Sequence, residues 1–174
     1  ADGGVFSFGD AGFYGSMAGA HLNAPVVGMA ATPDGHGYWL VARDGGIFTF
    51  GDAGFYQANS AGYYSCIPTP AISCPPPPTT AMIASPDGKG YGELSAAGSV
   101  GGWGDFDSQL SQCYGGYVGH LNKSAVALSY TPDKKGYWIF AADGGVFSFC
   151  DANFYGSMAG AHLNAPVVGG VGVP

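Results

Sequence analysis

Asp44-Gly45-Gly46-Ile47-Phe48-Thr49-Phe50-Gly51-Asp52 is a phrase that this chain keeps rewriting. It stands at Asp2–Asp10 as DGGVFSFGD and at Asp143–Asp151 as DGGVFSFCD, and a decayed copy, AGSVGGWGD, occupies Ala97–Asp105. Each copy reads the same way physically. Glycines after an aspartate accept positive φ without steric cost and turn the chain. A short run alternating large apolar with small residues then makes a strand, and Gly-Asp closes it. Four copies of one turn–strand unit define a repeat protein.

Working outward from that phrase gives the full unit. A small-residue strand a (VVGMAATP, Val26–Pro33) leads into the turn Asp34-Gly35-His36-Gly37 and strand b (YWLVAR, Tyr38–Arg43). The DGG turn and strand c (IFTF) follow, and Phe55-Tyr56 begins an expected fourth strand, d. Asp2 to Asp44 is a period of 42 residues, whereas Tyr38 to Tyr91 is 53 and Tyr91 to Tyr137 is 46. Residues 1–28 and 142–169 differ only at Gly9/Cys150 and Gly12/Asn153. Four short strands per unit with a tight turn between each pair is the grammar of a propeller blade.

The expectation is therefore a single all-β domain over 1–174, a four-bladed β-propeller of ~42-residue repeats. Its copies run about 1–25, 26–77, 78–124 and 125–166, with a final strand 167–174 and a Pro-rich insertion at 57–80. If strand c leads each blade, the chain gives three complete blades c-d-a-b and a fourth lacking only b. An open fragment of a longer array is the alternative.

Composition narrows the partners. Of 174 residues 47% are hydrophobic and 14% aromatic, which suits a packed, turn-rich β structure despite 32 glycines and only 10% charged residues. A net charge of −7 with five Lys plus Arg offers no cationic track, so nucleic acid and anionic membrane are poor partners. No apolar run approaches the roughly 18–20 residues of a membrane span. Ala1 as a mature N-terminus would follow removal of a signal peptide.

Cys66 and Cys74 flank IPTPAIS in the Pro-rich insertion, whereas Cys113 and Cys150 lie in different repeats. No C-x-x-C spacing occurs, which argues against a zinc knuckle. Of three possible pairings, Cys66–Cys74 and Cys113–Cys150 are favoured, the first as a local staple and the second as a tie between repeats. Four free buried thiols are the other reading. Paired cysteines imply an oxidising compartment, hence secretion or a cell surface.

Two resemblances add to this. TPDGHGYWLVA (Thr32–Ala42), SPDGKGYGEL (Ser85–Leu94) and TPDKKGYWIFA (Thr131–Ala141) are similar to the turn–strand of TolB-like propellers. The whole unit, from DGGVFSFGDAGFYGS through LNAPVVGMAATPDGxGYWLVA, resembles a tandem repeat of uncharacterised secreted actinobacterial proteins, sometimes found beside a hydrolase domain. It covers nearly all of the chain. Copies two and three depart from it at the insertion and at AGSVGGWGDFDSQLSQ, and neither pattern carries a catalytic residue over.

Three constellations deserve weighing for chemistry. His21, His120 and His162 share one slot, each followed by Leu-Asn, and imidazoles converging from equivalent slots could hold zinc or copper. Duplication of a loop residue is the competing and favoured reading, since the c-leading phase keeps them from the axis. The aspartates fall into three repeated classes, Asp34/Asp87/Asp133, Asp2/Asp44/Asp143 and Asp10/Asp52/Asp105/Asp151. Paired carboxylates suit glycosidases, yet each class sits at a turn, where Asp commonly bonds backbone N–H groups. The aromatics of strand b and its neighbours, Tyr38, Trp39, Tyr137, Trp138 and Trp103, are the candidate ligand surface, because exposed rings stack on sugars or anchor partners. Packing of Trp39 and Trp138 between blades is the competing reading.

The sequence thus favours a non-catalytic secreted module, without cofactor, that binds glycan or cell-wall polymer or mediates surface interactions. Self-assembly is an alternative, through the uncharged terminal strand Val167–Pro174, whose edge would template pairing. A hydrolase using Asp105 or Asp107 in the divergent stretch Trp103–Gln112 is another; Glu93, Asp107, Gln109 and Gln112 make no recognisable triad.

Overall fold

The structure, a computed structural model, describes residues 2–58, 77–106 and 120–172. Among the described residues there are nine strands: β1 (Val26–Ala31), β2 (Gly37–Ala42), β3 (Ile47–Gly51), β4 (Thr79–Ala84), β5 (Gly90–Ser95), β6 (Val100–Gly104), β7 (Ala125–Tyr130), β8 (Gly136–Ala141) and β9 (Val146–Cys150). They form three antiparallel three-stranded sheets, each a meander in chain order, β1-β2-β3, β4-β5-β6 and β7-β8-β9. The same register recurs: Tyr38 faces Phe50, Tyr91 faces Trp103 and Tyr137 faces Phe149.

Local chemistry explains the meander. In the first turn Gly35 takes φ 75°, its N–H reaches Thr32 O at 3.0 Å, and Asp34 Oδ1 accepts the His36 N–H at 3.1 Å. The Thr32 hydroxyl accepts the Gly37 N–H at 2.9 Å, and Thr131 does the same for Gly136 at 3.0 Å. In the second turn Gly45 takes φ 83° and Asp44 Oδ1 accepts the Gly46 N–H at 3.2 Å. Two such turns close two hairpins, so a, b and c fall into one sheet with b at its centre. Sheets therefore begin at strand a, which corrects the c-leading phase. The longer connection from c to the next a passes between sheets.

Strand d is also corrected: within the described residues it joins no sheet. Tyr14 and Tyr56 reach forward to the next sheet instead, donating their hydroxyls to Gly35 O and Gly88 O at 2.9 and 3.0 Å. The physical reason is that strand c already ends at a positive-φ glycine, Gly51 or Gly104, which turns the chain out of the sheet.

Successive sheets meet through their first strands, β1 beside β4 and β4 beside β7. A backbone bond repeats at each junction. Thr79, Ala125 and Val167 donate their N–H groups to the carbonyls of Arg43, Ala96 and Ala142 at 2.9, 3.0 and 2.9 Å. The apolar core bridges sheets as well, with Trp39 and Val41 against Met82 and Tyr91, and Leu94 and Phe106 against Leu128 and Ile139.

One exchange shows how the copies diverged. Sheet one has Trp39 with Ala53, whereas sheet two has Gly92 with Phe106 at the same two positions. A Cβ on Gly92 would lie 2.3 Å from the Phe106 ring, so that ring covers the glycine as the indole does elsewhere.

Cys150 is disulfide-bonded and takes φ 62° where Gly51 and Gly104 take 69°. Cys66, Cys74 and Cys113, and with them both expected pairings, lie outside the described residues, as do Asp107 and most of the insertion.

Candidate interaction site

Strand b is the centre strand of each sheet; it is covered on both faces in the first two sheets and on one face in the third, and this decides the fate of the aromatics. Trp39 is 0% exposed; its ring lies 5.7 Å from that of Tyr91 in the next sheet and its Nε1 donates to Gly54 O at 2.7 Å. Tyr38 is buried between Tyr14 and Phe50, with its hydroxyl donating to Gly15 O. Tyr137 is buried and stacked on Phe149 at 4.9 Å. Trp103 is buried and donates from Nε1 to Glu93 Oε1 at 3.0 Å. Four of the five expected ligand-binding aromatics are therefore core residues, and the expectation that they form an exposed sugar platform is corrected. Trp138 alone is half-exposed; it donates to Asn153 O at 2.8 Å and lies 6.5 Å from the exposed Tyr155 ring. At the position of Trp39 and Trp138 the second sheet has Gly92, and the Phe106 ring fills the space beside it.

His21, His120 and His162 are each exposed in the connections that lead into a strand a, and they form no ligand cluster. Among the described residues the His/Asp group that gathers is Asp34, His36 and Asp52, all exposed, with ligand atoms within 4.8 Å of one another. The His36 imidazole stands 3.4 Å from Asp34, where sheets two and three place Lys89 and Lys135 at 3.9 and 3.8 Å from Asp87 and Asp133.

The third aspartate class meets the first in each sheet. A hydrogen bond with Asp105, then the Lys89 N–H, holds Asp87 down at about 2, while burial and then the bond to Asp87 raise Asp105. Asp34 is depressed chiefly by the His36 N–H, and Asp133 by the Thr131 hydroxyl. Such a pair sharing a proton could serve acid–base chemistry. Its recurrence beside every a–b turn makes it part of the turn. Glu93 is 1% exposed and is held by the Thr79 hydroxyl at 3.3 Å and by Trp103, so it belongs to the core of sheet two.

Exposed apolar surface gathers instead at the two ends of the succession of sheets. At one end Phe6 and Phe8 are both more than 80% exposed, and Phe6 borders a cleft of about 680 Å³. Its walls are the segment 3–7 on one side and Val26, Gly28, Met29, Tyr38 and Leu40 of the first sheet on the other. At the far end Trp138, Phe140, Val146, Tyr155 and Val171 line a cleft of about 240 Å³. Phe6, Phe8 and Met29 were not singled out as site residues from the sequence.

No protein-family model matches the chain, and no curated protein matches it significantly.

Proposed function

We propose that this chain is a non-catalytic extracellular repeat module that mediates surface interactions through its two end faces, including association with further copies of itself. The observation that carries the reading is the division of the aromatics. Tyr38, Trp39, Tyr91 and Tyr137 of strand b are buried, with Trp39 packed on Tyr91 of the next sheet, whereas Phe6, Phe8 and Tyr155 stand exposed at the ends. Apolar patches of that kind favour association with another surface. The far end is favourable to stacking in series, because residues 167–172 lie on the third sheet much as β4 lies on the first, with Val167 repeating the Thr79 backbone bond. This repetition supports reading the sheets as propeller blades, with 167–172 opening a fourth. The disulfide at Cys150 supports an oxidising, extracellular setting.

Sedimentation over a concentration series tests the proposal. Weight-average mass should rise with concentration, and deletion of residues 167–174 should suppress the rise. A single monomeric species up to millimolar concentration refutes it. A second reading, glycan recognition, is favoured by the half-exposed Trp138 beside Tyr155 in an apolar cleft. It predicts hits on a polysaccharide array that Tyr155→Ala removes.

A further inference from the structure

One position in the a–b turn sets the first sheet apart chemically from the other two. Each turn brings its first aspartate, Asp34, Asp87 or Asp133, against the aspartate that follows strand c, Asp52, Asp105 or Asp151. The backbone around the pair repeats. Asp34, Asp87 and Asp133 each accept the N–H two residues on, at 3.1, 3.1 and 3.2 Å. Asp52 and Asp105 donate their own N–H groups to the carbonyls of His36 and Lys89 at 3.2 and 3.1 Å. What changes is the third side chain. In sheets two and three it is Lys89 or Lys135, whose ammonium stands 3.9 or 3.8 Å from the first aspartate, so a tethered cation serves the carboxylate pair. In sheet one the same position holds His36.

An ammonium has three donors and no lone pair, whereas a neutral imidazole offers a lone pair. The exchange therefore turns a built-in cation into a third ligand for one. The geometry agrees. Asp34 Oδ1 is taken up by the His36 N–H, which leaves Oδ2 turned to the imidazole, 3.4 Å from Nδ1. That separation is long for an N–H···O bond, whose ordinary range is about 2.7–3.2 Å. It matches the edge of a coordination tetrahedron, because two ligands each roughly 2.0–2.1 Å from one zinc ion stand about 3.3–3.4 Å apart. A carboxylate oxygen of Asp52 completes the group, since one ligand atom from each of the three residues lies within 4.8 Å of the others. The backbone beneath them is tied down as well. The Tyr14 hydroxyl donates to Gly35 O at 2.9 Å, and the Thr32 hydroxyl accepts the Gly37 N–H at 2.9 Å.

We propose that Asp34, His36 and Asp52 form a binding site for a divalent transition-metal ion of the zinc class, at the surface of the first sheet, with water in the remaining coordination position. One nitrogen and two carboxylate oxygens suit zinc, cobalt or nickel, whereas calcium and magnesium prefer oxygen throughout. The ion takes the place that the lysine ammonium holds in the other two sheets, as counter-charge to the aspartate pair. Asp34 is kept below the ordinary carboxylate range by the His36 N–H and then the Thr32 hydroxyl, so it stays ionised as a ligand. The site belongs to a turn and a strand end inside the first sheet. It is separate from the end faces and does not rest on association through them.

The test titrates zinc ions into the full chain, followed by calorimetry and by NMR of the histidine rings, with magnesium ions as the comparison. Saturable binding of one zinc ion per chain is expected, with the His36 ring resonances shifted and those of His21, His120 and His162 unmoved. His36→Lys and Asp52→Asn should each weaken binding at least tenfold. His36→Lys should also abolish the rise in Tm that zinc gives the parent. That variant copies the turn of sheets two and three, where lysine already stands, so it should keep the circular dichroism spectrum of the parent. Combined His21→Ala, His120→Ala and His162→Ala should leave the affinity unchanged. No saturation up to millimolar zinc, undiminished binding by His36→Lys or by Asp52→Asn, loss of binding in the triple histidine variant, or equal affinity for magnesium overturns the proposal.

Discussion

The exchange of Trp39/Ala53 for Gly92/Phe106 makes a quantitative prediction about how neighbouring sheets are locked together. Phe106 is 3% exposed, and its ring sits directly over Gly92. Truncation to alanine deletes a buried ring and leaves a cavity, which costs roughly 3–5 kcal/mol. Gly92→Trp alone drives an indole into a space the phenyl ring already fills, with atoms as close as 2.3 Å at the Cβ, and overpacking of that kind costs at least about 1–3 kcal/mol. The double variant Gly92→Trp/Phe106→Ala rebuilds the arrangement of sheet one, in which the indole is fully buried beside a small residue. Gly92 has no positive φ that would oppose a side chain. The double variant should therefore lie within about 2 kcal/mol of the parent, with a coupling energy of about 2 kcal/mol or more between sites that direct contact makes non-additive. Equilibrium urea unfolding of the four proteins, followed by tryptophan fluorescence and far-UV circular dichroism, measures it. Additivity within about 0.5 kcal/mol would refute the claim that the two side chains occupy one shared volume.

Four further outcomes are expected. Lys134 stands at φ 62° where the first two turns have Gly35 and Gly88, so Lys134→Gly should stabilise by about 1 kcal/mol and raise Tm by about 2–4 °C. Gly35→Ala, whose Cβ meets nothing within 4 Å, should lose a similar amount from backbone strain alone. The Tyr91 hydroxyl donates to Gln57 O and accepts the N–H groups of Tyr56 and Gln57 at 3.3 and 3.1 Å, so Tyr91→Phe should cost about 1–3 kcal/mol in urea denaturation. Asp105 is raised, so in the wild type it favours the fold at low pH, and that contribution is lost as pH rises through its folded value. Asp87 is lowered to about 2, so its contribution is present above the ordinary carboxylate range and lost as pH falls towards 2. Asp105→Asn should therefore raise Tm at pH 7, with the gain shrinking towards pH 3 in a thermal melt series. An equal gain at both pH values would count against the shared proton.

How much was legible beforehand can be traced residue by residue. The DGG phrase and the TPDG turns dictate two hairpins per unit, because glycine at positive φ and aspartate bonding a nearby N–H are local chemistry that needs no partner sheet. The all-β class, the repeated sheets and the turn duty of Asp34, Asp44 and their counterparts were therefore written in the chain itself. The start of the sheet at strand a was not, since periodicity fixes the order of strands and leaves open which of the connections crosses between sheets.

The site was the least legible part. A tyrosine–tryptophan pair on a strand points to both faces whatever covers them, and only packing decides that Trp39 is buried against Tyr91 while Trp138, with no described sheet beyond it, stays half-exposed. Phe8 and Phe149 have nearly identical sequence neighbours, yet one stands open and the other stacks on Tyr137. Sequence determined what each repeat is; its place in the succession of sheets, a property of tertiary contact alone, determined which copies of the same residue became core and which became surface.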